Sequence, residues 1–136
     1  DIDNFKQVND KYGHKEGDKV LSFIANVCRG TLRGSDFIGR IGGEEFLIVL
    51  PNTSVEESHH LAKRLCADIH QASIGAEFAA EEVTVSVGVT QCTSICQDFS
   101  DMVNKADIAL YEAKNSGRNR VERYQHQVAM SGSETS

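Results

Sequence analysis

Apolar residues recur at helical spacing in three parts of the chain, and each part predicts an amphipathic helix. Ser54 and Glu57 form a capping-box pattern before the second of these helices. Asp98 or Ser100 is suited to cap the third helix, and Gly117 to end it. The predicted apolar faces consist of Val20, Leu21, Ile24, Val27 and Cys28, then of Leu61, Ala62, Leu65, Cys66 and Ile69, and finally of Phe99, Met102, Val103, Ala106, Leu110 and Ala113.

Four short segments predict β-strands. Residues 37–41 and 46–50 are apolar runs on either side of a Gly-Gly-Glu-Glu sequence, which predicts a β-hairpin that Pro51 terminates. Valines alternate with small or polar residues from 83 to 90, a period that is typical of a half-buried strand. Residues 120–124 predict a last, short edge strand.

The remaining segments complete the predicted order. Residues 1–3 have the pattern of a strand end, residues 9–17 are rich in turn-forming residues, and residues 75–82 predict a loop. Residues 125–136 are small and polar, and we expect them to be disordered. The order predicts an α/β (α+β) fold of the ferredoxin-like palm type, in which helices cover one face of a mainly antiparallel sheet.

Composition narrows the class of protein. The 136 residues suffice for one domain, and no apolar run is long enough to span a membrane. Lys and Arg number 14 against 20 Asp and Glu, so the surface repels polyanions and disfavours a nucleic-acid-binding role. No His or Cys pair lies near Cys92 and Cys96 to complete a zinc site. We expect reduced thiols in a cytoplasmic protein at Cys28, Cys66, Cys92 and Cys96.

Acidic residues occur at two points that the predicted sheet can bring together. Asp1 and Asp3 lie at the end of the first strand, and Glu44 and Glu45 lie at the hairpin tip. Two carboxylates with a few waters are a usual way to hold Mg²⁺, which prefers hard oxygen ligands and shares its shell with substrate phosphates. The alternative is a solvated acidic hairpin tip, which the residues alone leave open.

The sequence Gly42-Gly43-Glu44-Glu45-Phe46 resembles the signature of the GGDEF family, the diguanylate cyclases, in its GGEEF form. Other blocks resemble the family in the same order along residues 1 to about 123. They are Asp1-Ile2-Asp3-Asn4-Phe5-Lys6, Asn9-Asp10, Tyr12-Gly13-His14, Gly17-Asp18, Val83-Thr84-Val85-Ser86-Val87-Gly88-Val89, Ala106-Asp107, Ala109-Leu110-Tyr111, Ala113-Lys114 and Gly117-Arg118-Asn119.

The resemblance implies a metal site and a nucleotide site. The side chains of Asp1 and Glu44 and the carbonyl oxygen of Ile2 would bind Mg²⁺, with Mn²⁺ as a substitute. Glu44 would assist deprotonation of a ribose 3′-hydroxyl, with Glu45 in a supporting role. The GTP-binding residues implied are Asn9, Asp18, His14, Lys6, Gly42, Gly43, Lys114 and Arg118.

The implied contact of Asp18 with guanine has a direct chemical reason. A carboxylate at Asp18 accepts from the N1–H and exocyclic amine of guanine, a donor pair that adenine lacks. The Arg33-Gly34-Ser35-Asp36 sequence matches an RxxD pattern shortly before the hairpin tip, where the family resemblance implies an inhibitory site for the product. Arg64 is a candidate second cation of that site.

The activity implied is condensation of two GTP molecules into cyclic di-GMP and two pyrophosphates by a homodimer, since one domain binds one GTP. The resemblance also implies a domain at residues 1–124 that lacks its first helix and most of its first strand, followed by a polar tail at 125–136. We expect no membrane contact from this segment, although the parent protein could be membrane-anchored.

Three alternatives remain at this point. One is a GGDEF-like module that binds GTP or cyclic di-GMP without catalysis. Another is a fragment that folds or associates abnormally, because the strand expected before Asp1 would be central in the sheet. The third is a palm-type nucleic-acid polymerase, against which the acidic balance and the short length argue.

Overall fold

The computed structural model describes residues 1–76, 82–92 and 98–125. Two helices at the start are followed by a hairpin, a long helix, and a strand–helix–strand unit. The elements are α1 (Phe5–Tyr12), α2 (His14–Thr31), β1 (Phe37–Arg40), β2 (Phe46–Val49), α3 (Val55–Ile74), β3 (Ser86–Val89), α4 (Phe99–Asn115) and β4 (Arg120–Arg123).

Two strand pairs form the sheet structure, and residues 1–3 connect them. β1 and β2 pair antiparallel, whereas β3 and β4 pair parallel. Ile2 forms an antiparallel bridge with Val85, and its backbone nitrogen donates to the carbonyl oxygen of Glu44 at 3.1 Å. The segment 1–3 is therefore hydrogen-bonded to the β3 strand on one side and to the hairpin on the other.

The main core lies between α2, α3 and one face of the strands. Gly88 lies on the opposite face of β3 from Val85, since successive side chains alternate. A Cβ atom at Gly88 would lie 2.1 Å from the Ala106 carbonyl oxygen and 2.4 Å from the Leu110 nitrogen, so α4 packs directly on this glycine. The core residues are Ile2, Phe5, Val20, Leu21, Ile24, Cys28, Leu65, Cys66, Ile69, Val83 and Val85.

Helices therefore cover both faces of the β3–β4 pair, and the expectation of helices on one face was wrong. The physical reason is the connection: a helix that joins two parallel strands crosses over the sheet, and α4 makes this crossover opposite α3. The α+β character was correctly predicted.

The turn predicted at residues 9–17 was also wrong, because α1 and α2 occupy this segment and meet at Gly13. Gly13 has φ 92° and ψ 163°, a conformation that ends α1 and directs the chain into α2. Gly17 lies inside α2, where a Cβ would lie 1.9 Å from Oδ1 of Asn9. Close packing of the two helices, rather than a turn, accounts for this glycine.

The local signals were confirmed. Ser54 and Glu57 form both hydrogen bonds of the capping box, and the Asp98 carboxylate caps α4 by accepting from the Asp101 nitrogen at 2.8 Å. The hairpin strands are each one residue shorter than predicted. Most of the 75–82 loop, the 125–136 tail except residue 125, and residue 96 lie outside the described residues. None of the helices in the described ranges has the length and apolarity that a membrane span requires.

Candidate functional site

Residues 1–3 place two carboxylates on one face of the sheet. The Asp1 carbonyl oxygen accepts from the Ser86 nitrogen at 3.0 Å, and the Asp3 nitrogen donates to the Thr84 carbonyl oxygen at 3.0 Å. Side chains two residues apart on an extended chain point the same way. Asp1 and Asp3 therefore lie on the α4 side, while Ile2 is buried in the main core.

The Asp1 carboxylate has one satisfied and one unsatisfied oxygen. Its Oδ2 contacts the Lys114 ammonium, which reaches it from the last turn of α4. Its Oδ1 is buried and lacks a hydrogen-bond partner among the described residues. Leaving a buried acceptor without a partner costs about 1–3 kcal/mol, more for a charged group. A cation bound at Oδ1 would remove this penalty, so Asp1 is suited to be a metal ligand.

The acidic hairpin tip contacts the backbone segment that carries this carboxylate. The Glu44 carbonyl oxygen accepts from the Ile2 nitrogen, so the two backbones are in direct contact. The Glu45 carboxylate lies over Gly42, where a Cβ would be 3.4 Å from Oε1. In residues 1–76, 82–92 and 98–125, no three His, Cys, Asp or Glu side chains converge as a metal cluster. A metal held by two carboxylates and a backbone carbonyl would thus depend on substrate phosphates for the rest of its shell.

Asp3 differs from Asp1 because its carboxylate is saturated. The residue is 6 % exposed. It accepts from the hydroxyl of Thr84 at 2.8 Å, the hydroxyl of Ser86 at 2.7 Å and the backbone nitrogen of Asn119 at 3.0 Å. These interactions were not expected from the sequence, although two polar residues in phase on a valine-rich strand are a signal for a polar partner on that face.

The turn after α4 has an unusual backbone. Three consecutive residues have positive φ, 121° at Gly117, 64° at Arg118 and 47° at Asn119. For the two non-glycine residues this costs about 2–4 kcal/mol in total. The Arg118 nitrogen donates to the Ala113 carbonyl oxygen at 3.0 Å, and the Asn119 nitrogen donates to Asp3. A hydrogen bond to a charged acceptor contributes about 1.5–3 kcal/mol, which is comparable with the strain.

The residues implied in guanine binding lie where α1 meets α2. The Oδ1 atom of Asn9 is buried and has no hydrogen-bond partner in the described part of the chain. Asp18 is exposed in the first turns of α2, and His14 is the exposed first residue of that helix. Lys6 forms an exposed i,i+4 ion pair with Asp10 at 3.0 Å.

The RxxD segment forms a closed clasp. Asp36 accepts from the backbone nitrogen of Arg33 at 2.8 Å, from its Nε at 3.2 Å and from its Nη2 at 3.0 Å. Arg33 also donates to the Thr53 hydroxyl at 2.7 Å. The Asp36 side chain is only 1 % exposed, whereas that of Arg33 is 57 % exposed. The hydrogen bonds from Arg33 hold the pKa of Asp36 below its usual range.

The structure does not join every implied residue into one site. Arg64 lies on the exposed face of α3, where its Nε is 3.9 Å from Asp68, and none of the hydrogen bonds that hold the clasp involves it. Thr53 was missed by sequence reasoning, because its contact with Arg33 spans twenty positions and leaves no local pattern. Gly43 is open on its Cβ side, and a ligand can approach its backbone.

Comparisons with known proteins agree with this architecture. The family described as "Diguanylate cyclase, GGDEF domain" matches residues 1–120. A diguanylate cyclase of Vibrio cholerae is 41 % identical over 120 residues, which cover 88 % of this chain and 37 % of that protein. The chain thus spans little more than a third of this relative. Because the family match covers most of the chain, the protein belongs to the GGDEF domain family.

Solved structures show the same fold. The active GGEEF domain of a diguanylate cyclase from Vibrio cholerae has a TM-score of 0.83 at 41 % identity, covering 93 % of this chain and 80 % of that one. The GGDEF domain of DgcB from Caulobacter crescentus, solved in complex with c-di-GMP, has a TM-score of 0.83 at 29 % identity, with 93 % and 75 % covered. These likenesses confirm the nucleotidyl-cyclase-like α+β fold.

Proposed function

We propose that this domain is a diguanylate cyclase, which condenses two GTP molecules into cyclic di-GMP and two pyrophosphates. The observation that carries the proposal is the buried, unpartnered Oδ1 of Asp1, one residue before the Ile2 nitrogen that donates to the Glu44 carbonyl oxygen. In a family whose relatives are named diguanylate cyclases, this is where a divalent cation would be held.

The side chains of Asp1 and Glu44 and the carbonyl oxygen of Ile2 would hold Mg²⁺, or Mn²⁺ in its place. When bound, the metal supplies Lewis-acid stabilisation of the phosphates and a lower pKa for a nearby hydroxyl. Glu44 accepts the proton of the ribose 3′-hydroxyl, and Glu45 supports the hairpin tip beside Gly42. Lys114 neutralises Asp1 and brings a positive charge to the phosphate side of the site.

The nucleotide would extend from the α1–α2 contact to the hairpin tip. Asn9 and Asp18 bind the guanine base, because the Asn9 carbonyl oxygen is an unused acceptor and the Asp18 carboxylate accepts the guanine donor pair. The loss of a buried polar contact with any other base gives the site its specificity. The triphosphate lies against Lys6, Gly42, Gly43, Lys114 and Arg118, and His14 lines the same nucleotide site as Asn9 and Asp18.

Catalysis requires two copies of the domain facing each other. The 3′-oxygen of each GTP bonds to the α-phosphorus of the other, while the bond from that phosphorus to pyrophosphate breaks and the hydroxyl proton passes to Glu44. Each copy binds one nucleotide, so the active species is a two-fold homodimer. Positioning and charge stabilisation supply most of the rate enhancement.

The product would also inhibit the enzyme through the clasp of Arg33 and Asp36, with Arg64 as an additional cation. Support comes from the exposure of the Arg33 guanidinium, one edge of which is fixed by Asp36 and Thr53 while the rest faces solvent. Arg33→Ala should relieve inhibition by added cyclic di-GMP at least tenfold without lowering the uninhibited rate. Arg29→Ala, an exposed arginine on α2, is the matched control. Unchanged inhibition in Arg33→Ala would contradict this assignment.

The proposed domain comprises residues 1–124 and is followed by the 125–136 tail. We place it in the cytoplasm, where GTP is available.

Chromatography of a reaction containing GTP and Mg²⁺ tests the function. We expect cyclic di-GMP and pyrophosphate from the wild type and no product from Glu44→Gln. The control Glu56→Gln, which changes an exposed glutamate at the start of α3, should have full activity. Nucleotide binding without any product would favour the binding module instead. Absence of both binding and product from the 136-residue chain would favour the abnormally folded fragment.

A further inference from the structure

One buried carboxylate at the site is not used by the proposed chemistry. Asp3 accepts three hydrogen bonds, two from β3-side hydroxyls of Thr84 and Ser86 and one from the backbone of Asn119. Oδ2 accepts both Thr84 and Asn119, and Oδ1 accepts Ser86. With both oxygens occupied and the residue 6 % exposed, Asp3 is poorly placed to bind a metal or a nucleotide.

The bond to Asn119 connects Asp3 to the turn that follows α4. Residues 117–119 all have positive φ, a conformation that non-glycine residues adopt only when their surroundings hold it. Asn119 donates its backbone N–H to Asp3, and Arg118 lies one residue before it. Four residues before Arg118, α4 carries Lys114, which contacts Asp1.

Asp1 and Asp3 thus anchor the end of α4 and its following turn at two points. Asp1 holds the side chain of Lys114, and Asp3 holds the backbone of Asn119. Lys114 and Arg118 are the two cations proposed to meet the triphosphate. Lys114 is itself one anchored residue, and Arg118 directly precedes the other, Asn119.

We propose that Asp3 is a positioning residue, which fixes the 117–119 turn against β3 and thereby sets where Arg118 and Lys114 meet the triphosphate. The inference rests on the proposed GTP site and adds a role to a carboxylate that metal binding does not require. It assigns to Asp3 an effect on phosphate binding through the turn, without contact to the nucleotide.

The hydrogen-bond pattern separates the anchoring role of Asp3 from any role of its negative charge. In Asp3→Asn the amide oxygen can take the place of Oδ2 and accept from both Thr84 and Asn119. The amide nitrogen then donates to the Ser86 hydroxyl, which can accept. Asparagine therefore preserves the anchor while removing the negative charge, whereas alanine removes both. A metal ligand would be impaired by either change.

The experiment compares wild type, Asp3→Asn, Asp3→Ala and the control Asp107→Ala, an exposed aspartate on α4. GTP binding is measured by calorimetry with Mg²⁺, guanosine binding by NMR titration, and protection of the Asn119 amide by hydrogen exchange. We expect Asp3→Ala to weaken GTP at least tenfold, to leave guanosine within twofold, and to expose the Asn119 amide to exchange. Asp3→Asn should remain within threefold for GTP.

The inference is overturned if Asp3→Ala keeps GTP affinity although the Asn119 amide has lost protection. It is also overturned if Asp3→Asn, with an unchanged melting temperature, loses GTP affinity as fully as Asp3→Ala. If Asp3→Ala does not fold, Asp3→Asn decides alone, retained affinity supporting the role and a tenfold loss refuting it. If the wild type binds no GTP, the proposed function fails. Hydrogen exchange tests the anchor separately: an Asn119 amide that is unprotected in wild type, while it is protected in Asp3→Asn, would refute it.

Discussion

Replacement of Gly17 by alanine should separate nucleotide binding from stability. Gly17 lies inside α2 beneath the Asn9 side chain, and a Cβ there would lie 1.9 Å from Oδ1. Cβ contacts below 3.0 Å essentially do not occur, so this oxygen must move by at least about 1.1 Å. A guanine hydrogen bond of about 2.9 Å would be stretched to about 4 Å, beyond the range of a hydrogen bond.

The stability change should be small by comparison. Alanine is preferred over glycine inside a helix by about 0.5–1 kcal/mol. The clash works against this gain, but its main partner is the end of a movable side chain, and the Phe5 ring at 3.2 Å adds a milder contact. We expect the free energy of unfolding to fall by no more than about 2 kcal/mol. Loss of one buried base contact should weaken GTP binding about tenfold, or by about 1.4 kcal/mol.

Calorimetric titration of GTP and urea denaturation of Gly17→Ala measure the two quantities. Gly30→Ala is the matched control, because Gly30 lies in the same helix with no atom within 4 Å of the added Cβ. It should stabilise the domain slightly and leave GTP affinity unchanged. Unaltered GTP affinity in a folded Gly17→Ala would refute the assignment of Asn9 to guanine binding.

Three other results are expected. Gly88→Val should destabilise the domain by about 3 kcal/mol or more in urea denaturation, because the new side chain meets α4 backbone atoms. The control Gly39→Val, on the open face of β1, should not have this effect. Equal denaturation midpoints for the two variants would contradict the packing of α4 on Gly88. Burial raises the pKa of the Cys66 thiol to about 11, so about one molecule in a thousand carries the thiolate at pH 8. Mass spectrometry after brief alkylation of the native protein should therefore find Cys66 unmodified. Rapid labelling of Cys66 would show that the core is open. The side-chain hydrogen bonds from Arg33 lower the pKa of Asp36, so the stabilisation from this pair is present above the usual aspartate pKa and is lost as pH falls through the lowered value. In an NMR titration, Arg33→Ala should raise the pKa of Asp36 toward its ordinary range, because only the backbone hydrogen bond from residue 33 remains.

Local signals predicted the elements well because they depend on neighbours in the sequence. The capping box of Ser54 and Glu57 and the cap at Asp98 involve contacts three residues apart, and both form. The hairpin around Gly42 and Gly43 also follows from adjacent apolar runs. For the same reason, the family signature at this tip could be read without any knowledge of the fold.

The errors arose where long-range contacts decide the outcome. Residues 9–17 are polar and contain two glycines, so their pattern favours a turn, but packing of Asn9 on Gly17 retains the helices. The parallel pairing of β3 with β4 follows from the α4 crossover rather than from either strand. Asp3 finds its partners 81, 83 and 116 positions along the chain, which no local pattern reveals.

We propose that two copies of this domain, each with Asp1 and Glu44 at its metal site, jointly make cyclic di-GMP. The most direct test measures the rate of product formation from GTP and Mg²⁺ by wild type, by Glu44→Gln, and by an equal mixture of the two at the same total concentration. If both half-sites must function and subunits exchange freely, the variant forms no product and the mixture has about one quarter of the wild-type rate. A mixture at one half of the wild-type rate, or product from Glu44→Gln alone, would show that catalysis does not need a functional Glu44 in both copies.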